Sequence, residues 1–296
     1  MAQEAQAGAP VDAVGQGRPF CPLKNLGNTC YINANIQALV GVPAIKQALI
    51  TADSTASTAS QISLRLRELV ISMSSGDGCT AVSLPALVDS LFAPDSKWVT
   101  THTAEKGEQQ CADDFLQCLL EQVPKLEGCV AFEMLGVNHQ SERGTMLRVG
   151  LVQRAGEVPL SALIHAQYNG KLINFSSELI VVMKRWSNNG PNISLDSTEF
   201  LFDDPLKLYD ASEKNIAHFS LSGFVEHRGR SFKSGHYTAV SRRTINDQDK
   251  WLYFNDDAEP EECTEEQMKT QVILWNALTL HHCTGFRIKV YGLGLR

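Results

Sequence analysis

Lys24-Asn25-Leu26-Gly27-Asn28-Thr29-Cys30-Tyr31-Ile32-Asn33-Ala34-Asn35 reads as a polar, glycine-containing loop running straight into a helix, with a cysteine at the junction. Thr29 is the expected N-cap, and Ile32, Ile36, Leu39 and Val40 then recur at helical spacing. Gly41 and Pro43 are expected to stop the helix. Cys30 therefore falls in the first turn, where unpaired backbone N–H groups and the positive end of the helix dipole favour an anion. Such a position suits a thiolate nucleophile. The competing expectation is a cysteine buried as a small hydrophobe; the loop chemistry in front of Cys30 weighs against it without settling the matter alone.

The chain has 296 residues, 43% of them hydrophobic, enough to bury a full core in one large domain or two lobes. A net charge of −7 excludes the electrostatic footprint of a nucleic-acid binder and suits a basic protein partner instead. No apolar run approaches the length of a bilayer span, so no membrane association is expected. The N-terminus has no charged segment followed by an apolar one, so no secretory signal is expected. None of the eight cysteines forms a Cys-x-x-Cys pair or precedes a histidine at ligand spacing. Neither a metal nor a cofactor is therefore expected, and the thiols are read as reduced, in the cytoplasm, the nucleus or both.

Residues 1–18, rich in Ala, Gly and Gln, read as a disordered tail, and the polar run 51–60 as a loop. Helical patterning returns at Ile62, Leu66, Leu69, Val70 and Met73 and stops at the Ser/Gly cluster 74–78; Ser83 and Pro85 open a further helix. The clearest amphipathic helix is expected over 109–123, with Ala112, Phe115, Leu116, Leu119, Leu120 and Val123 on one side. Gln110, Asp113, Asp114, Gln117 and Glu121 lie on the other, and Pro124 ends it. From Phe132 the pattern turns to short β runs, including Met146 to Val152, Leu179 to Lys184, His218 to Val225 and Phe286 to Tyr291. A helical half followed by a largely antiparallel half is an α+β arrangement.

Ser234-Gly235-His236-Tyr237-Thr238-Ala239-Val240 and Trp251-Leu252-Tyr253-Phe254-Asn255-Asp256-Asp257 read as the two arms of a hairpin around a polar turn at 244–247. With a four-residue turn, Arg243 faces Gln248 and His236 faces Asn255, with Cβ atoms about 4.5–5.5 Å apart on one side of the sheet. A one-residue slip would change the partner of His236. An imidazole held by Asn or Asp can serve a cysteine as base and ion-pair partner. Asp256 is the alternative orienting residue, although in a regular strand it points away.

Asn25 to Asn33, with Cys30 inside it, resembles the cysteine box of the ubiquitin-specific proteases, papain-like deubiquitinating cysteine peptidases. Gly235-His236 resembles the family's histidine box, and Trp251-x-x-Phe254-Asn255-Asp256 the box of its third residue. The resemblance covers about Phe20 to Tyr291. It implies a papain-like fold over residues 19–296, with a helical thumb at about 19–125 and a β-rich palm with shortened fingers at about 126–296. It implies Cys30 as nucleophile, His236 as general base and then acid, Asn255 (or Asp256) as orienting residue, and Asn25 as a donor to the oxyanion. Glu108 to Leu116 resembles the family's acidic segment that binds the arginine-bearing tail of ubiquitin. Asp114 keeps an acid there, while Cys111 replaces another.

Gln110, Asp114, Gly235 and Tyr237 are accordingly expected beside the substrate tail, and His227 is expected to shape the adjoining loop. The zinc-ribbon cysteines of the family's fingers are missing from 133–144, which implies a short, metal-free fingers region. The implied activity is cleavage after the Gly-Gly terminus of ubiquitin or a ubiquitin-like modifier on lysine side chains. The rival expectations are a pseudoprotease that holds the modifier without cutting it and a protease for ordinary peptides.

Overall fold

The computed structural model describes residues 20–51, 61–74, 84–135, 140–150, 158–168, 171–184, 186–189, 192–195, 200–201, 205–210, 216–231, 234–268 and 284–290. The tail 1–18, most of the polar loop 51–60, the stop at 75–78 and residues 136–139 of the fingers lie outside them.

Seven helices come first: α1 Cys30–Val40, α2 Pro43–Ile50, α3 Gln61–Ser74, α4 Pro85–Leu91, α5 Lys97–Thr100, α6 Ala112–Gln122 and α7 Pro124–Val130. Strands β1 Phe132–Leu135, β2 Ser141–Gly144, β3 Leu147–Gly150 and β4 Val158–Pro159 follow, then α8 Leu160–Tyr168. The remainder is β5 Lys171–Phe175, β6 Glu178–Lys184, β7 Trp186–Asn189, β8 Asn192–Leu195, β9 Phe200–Leu201 and β10 Leu206–Asp210. The long strands β11 Ile216–Ser231, β12 Ser234–Ile245 and β13 Gln248–Phe254, with β14 Glu261–Cys263 and β15 Thr284–Val290, complete it. The expected α+β order holds, with one correction. α8 interrupts the β half because Leu160, Leu163, Ile164 and Tyr168 are buried at helical spacing.

The main sheet runs β14-β13-β12-β11-β10-β5-β1-β2, and β15 joins β11 to β6. Side chains alternate across it and so divide the interior in two. On β6, Ile180 and Val182 join the helical core, whereas Leu179, Val181 and Met183 join a second core with α8. Within the helical core Tyr31, Trp98 and Phe115 pack ring to ring, with centroids 5.4–6.1 Å apart.

Helix α1 is not amphipathic in the way its spacing suggests: every residue from Cys30 to Leu39 is buried. The amide groups of Asn35 and Gln37 are satisfied internally. Asn35 donates to the carbonyls of Tyr31 and Ala112, and Gln37 donates to that of Cys21 at 2.7 Å. Thr29 precedes the helix but makes no side-chain cap bond, contrary to expectation; its hydroxyl accepts from the N–H of Leu26 instead. Gly41 ends the helix in a right-handed conformation, φ −71°, so left-handed freedom is not why glycine stands there. An added Cβ would lie 1.8 Å from Ser241 Oγ and 2.0 Å from Arg243 Nη1, so the requirement is close approach of α1 to β12.

Five described cysteines, Cys30, Cys111, Cys118, Cys129 and Cys263, are free thiols. Cys21 is disulfide-bonded, against the expectation of reduced thiols. Spacing along a sequence does not report which thiols meet in space.

Candidate active site

The loop before α1 is folded around the side chain of Asn25. Its Oδ1 accepts from the N–H of Gly27 at 2.9 Å and from the N–H and hydroxyl of Thr29, both at 3.3 Å. Gly27 and Asn28 take left-handed conformations, φ +91° and +54°, which turn the chain into the helix. The carbonyl end of Asn25 is thus consumed by the loop, and its amide end points outward. Nδ2 donates to Asp256 Oδ2 at 2.7 Å, and Asn33 Nδ2 donates to the other carboxylate oxygen at 2.7 Å. The N–H of Leu23 donates to the carbonyl of Asp256 at 3.0 Å, which fastens the loop to the end of β13.

His236 stands on β12 opposite Arg228 of β11. Its Nε2 donates to Asn255 Oδ1 at 2.7 Å, and the imidazole lies near enough to the Cys30 thiol for the two to interact. Since Nε2 is engaged by an oxygen that can only accept, Nδ1 is the nitrogen left for sulfur. Interaction with Cys30 is the main reason the His236 pKa rises from 6.5 to about 9. Burial works against that rise, while Asn255 and the charge of Asp256 add to it. Cys30 is 2% exposed and the His236 side chain 39%, so the pair is reached from the imidazole side. Cys30, His236, Asn255, Asn25 and Asp256, expected together, are brought together.

The hairpin that does this differs from expectation. Its turn is two residues, Asn246 and Asp247, both left-handed at φ +50° and +60°. Arg243 consequently faces Lys250 rather than Gln248, and the ladder ends at Ala239 opposite Phe254. Asn255 reaches His236 from just beyond the strand, not from the facing position. Asp256 does not point away either. At φ +47° it has left the strand, and its Oδ2 lies 3.9 Å from His236 Nε2.

The expected substrate-side residues divide. Asp114 is exposed in the first turn of α6. Asp113 beside it is bound by Arg148 at 3.2 Å, which opposes the upward pull of burial on its pKa. Gln110 lies ahead of α6, which begins at Ala112 rather than at Gln109. The reason is Gln109, whose buried side chain is held in an extended segment by His227 at 3.0 Å. His227, fully buried with its ring centroid 4.4 Å from that of Tyr237, lies inside strand β11 and not in a loop as expected. Tyr237 is corrected: at 1% exposure it offers a substrate no surface, because successive residues of β12 face opposite sides. Cys111 is kept neutral, its pKa pushed up to about 12 by burial first and by the charge of Asp114 next.

Gly235 is exposed on one side and cramped on the other. At φ +147° an added Cβ would come within 2.4 Å of the Arg228 carbonyl and 2.5 Å of His227 Nε2. Gly235→Ala is therefore expected to destabilise the fold by about 2 kcal/mol, seen as a lower urea midpoint. Because the strain falls next to His236, reactivity of Cys30 toward alkylating agents should fall with it.

Residues missed by sequence reasoning are Asn33, Gln37, Gln109 and Arg243. Asn33 and Gln37 carried a legible signal, two of three amides (with Asn35) on a helix whose other residues are mostly apolar. The others become visible only when strands and helices meet.

The family model for ubiquitin carboxyl-terminal hydrolase matches residues 21–281, and the chain belongs to that family. It is accordingly an enzyme of the cysteine-type deubiquitinase class. Among solved structures it is similar to the SAGA Ubp8/Sgf11/Sus1/Sgf73 DUB module bound to ubiquitin aldehyde. The likeness has a TM-score of 0.70, covers 96% of this chain and 72% of that one at 14% identity, and at that identity shows the shared fold.

Proposed function

We propose that the chain hydrolyses the isopeptide bond after the Gly-Gly terminus of ubiquitin, or of a modifier with the same tail, using Cys30, His236 and Asn255. The observation that carries this reading is the placing of Cys30, at the start of a helix, beside an imidazole whose Nε2 donates to Asn255. The sulfur attacks the carbonyl carbon of the terminal glycine, and the electron pair moves to the carbonyl oxygen. Asn25 Nδ2, with one hydrogen given to Asp256, has a second for that oxyanion.

As the carbon–nitrogen bond breaks, His236 gives its proton to the departing lysine amine. It then takes a proton from water, which attacks the thioester and releases the thiolate. Exposed Asp114 is the acid available for a basic modifier tail. The conjugates acted on are cytoplasmic or nuclear.

The test is turnover of a C-terminal amide of ubiquitin beside short peptide amides. Cleavage of the ubiquitin amide, with the peptides left intact, is expected. Tight binding of ubiquitin without turnover would return the pseudoprotease reading, and turnover of peptides alone would make the chain an ordinary peptidase.

A further inference from the structure

We propose that Arg243 is a positioning residue for the Cys30–His236 pair, a buried clamp joining the three elements that carry Cys30, His236 and Asn255. The inference rests on the reading of those residues just given. Arg243 belongs to β12, the strand of His236, and is 7% exposed. Its Nη2 donates to the backbone carbonyl of Gln37 at 2.7 Å and to the Gln37 side-chain oxygen at 3.2 Å. Nη1 donates to Ser241 Oγ at 2.6 Å, and the guanidinium carbon lies 5.0 Å from the ring centroid of Phe254. Gln37 is in the last turn of α1, and Phe254 is the residue before Asn255.

The last four carbonyls of a helix have no partner within it, and a cation there is favoured by the dipole. Arg243 supplies both a donor and a charge to Gln37. No described carboxylate pairs with it, and burial pushes its pKa down to about 9. Lys46, the described cation facing it, is also pulled down, by burial first and by Arg243 next. An unpaired guanidinium in such a place is a costly way to fill space, which apolar side chains do better. Space is nevertheless cut for it, since a side chain at Gly41 would overlap its Nη1. The preceding Arg242 turns outward to Asp249 at 2.6 Å, so the strand's alternation buries only one of the two arginines.

A helix is a stiff rod rising about 1.5 Å per residue, so Gln37 lies about 10 Å along the axis from Cys30. A shift or tilt at the clamped end reappears at the thiol. The sulfur–imidazole distance is the quantity most sensitive to it, whereas α6, which carries Asp114, is held by Arg148 of β3 through Asp113 and Gln117 as well as by Asn35 of α1. Loss of the clamp therefore acts on the chemical step and not on the grip on the modifier.

The experiment compares wild type with Arg243→Met, which removes charge and donors at similar length, and with Arg243→Lys, which keeps charge without the fork. It reads kcat and KM on the ubiquitin amide, and the pH profile of iodoacetamide labelling at Cys30, located by peptide mass spectrometry. A folded Arg243→Met variant is expected to lose roughly 10- to 100-fold in kcat with KM little changed. Its labelling profile should move to higher pH, and Arg243→Lys should recover part of both effects. Wild-type kcat and labelling in folded Arg243→Met, or a loss confined to KM, would overturn the proposal. If Arg243→Met does not fold, Arg243→Lys decides by the same readouts, and wild-type behaviour there overturns it. Absence of turnover in the wild type would sink the functional reading instead, while the labelling profile still tests the clamp.

Discussion

Cys30→Ala and His236→Ala are each expected to lower kcat/KM for a ubiquitin C-terminal amide by about 10,000-fold or more, and the double variant by no more than the worse single. The thiol interacts with the imidazole, and the imidazole is held from behind by Asn255 at 2.7 Å. Neither group does its part without the other. Alanine at 236 leaves a sulfur with no base and no proton donor for the leaving amine; alanine at 30 leaves an acid–base pair with nothing to activate. Steady-state rates of the two singles and the double are the measurement. If the losses multiplied, the two side chains would be acting independently and the shared-unit reading would be wrong.

The pH profile gives the same reading a second check. With its pKa raised from 6.5 to about 9 in the folded enzyme, His236 keeps its proton through neutral pH. The alkaline fall in kcat/KM is therefore expected near 9 and not near 6.5. Stability follows the same sign. A group held more basic in the folded state contributes fully below its unfolded pKa, and that contribution disappears as pH rises through the folded one.

The site was legible in the sequence to the extent that its parts are local. The loop-to-helix junction at Cys30 needs only neighbouring residues, and the structure keeps it, although Asn25 rather than Thr29 organises the turn. The hairpin shows how a contact can survive an error in register. Expecting four residues in the turn misplaced the partner strand by two, and a shift of two leaves every side chain on its original face. Asn255 therefore stayed on the side of His236, one diagonal step away and within reach of a hydrogen bond. A slip of one would have lost it.

What the sequence did not disclose depends on meetings between distant segments. Gln109 delays the start of α6 because His227, 118 residues further on, holds it. Arg243 is buried because α1 passes against β12 at Gly41, a packing fact with no periodic signature. The missed α8 is different in kind. Leu160, Leu163, Ile164 and Tyr168 announce a helix, and the surrounding β pattern overrode a signal that was present.

Asp256→Ala is expected to cost more in kcat than Asn255→Ala, about 100- to 1,000-fold against roughly 10- to 100-fold. Asn255 does one thing for the site: its oxygen orients the imidazole. When it is removed, Asp256 Oδ2, already 3.9 Å from Nε2, is near enough to take over part of the task. Asp256 has no such understudy. Its two oxygens hold the amides of Asn25 and Asn33 at 2.7 Å each, and its backbone carbonyl holds Leu23. Removing the carboxylate frees the donor intended for the oxyanion and loosens the loop that starts the Cys30 helix. Asp256→Asn refines the point. It keeps the shape and the left-handed conformation that asparagine tolerates, but presents one accepting oxygen in place of two. It should therefore fall between Asp256→Ala and wild type in kcat, with KM little changed. A larger loss in Asn255→Ala than in Asp256→Ala would mean that orientation of the imidazole, and not the placing of Asn25, limits the reaction.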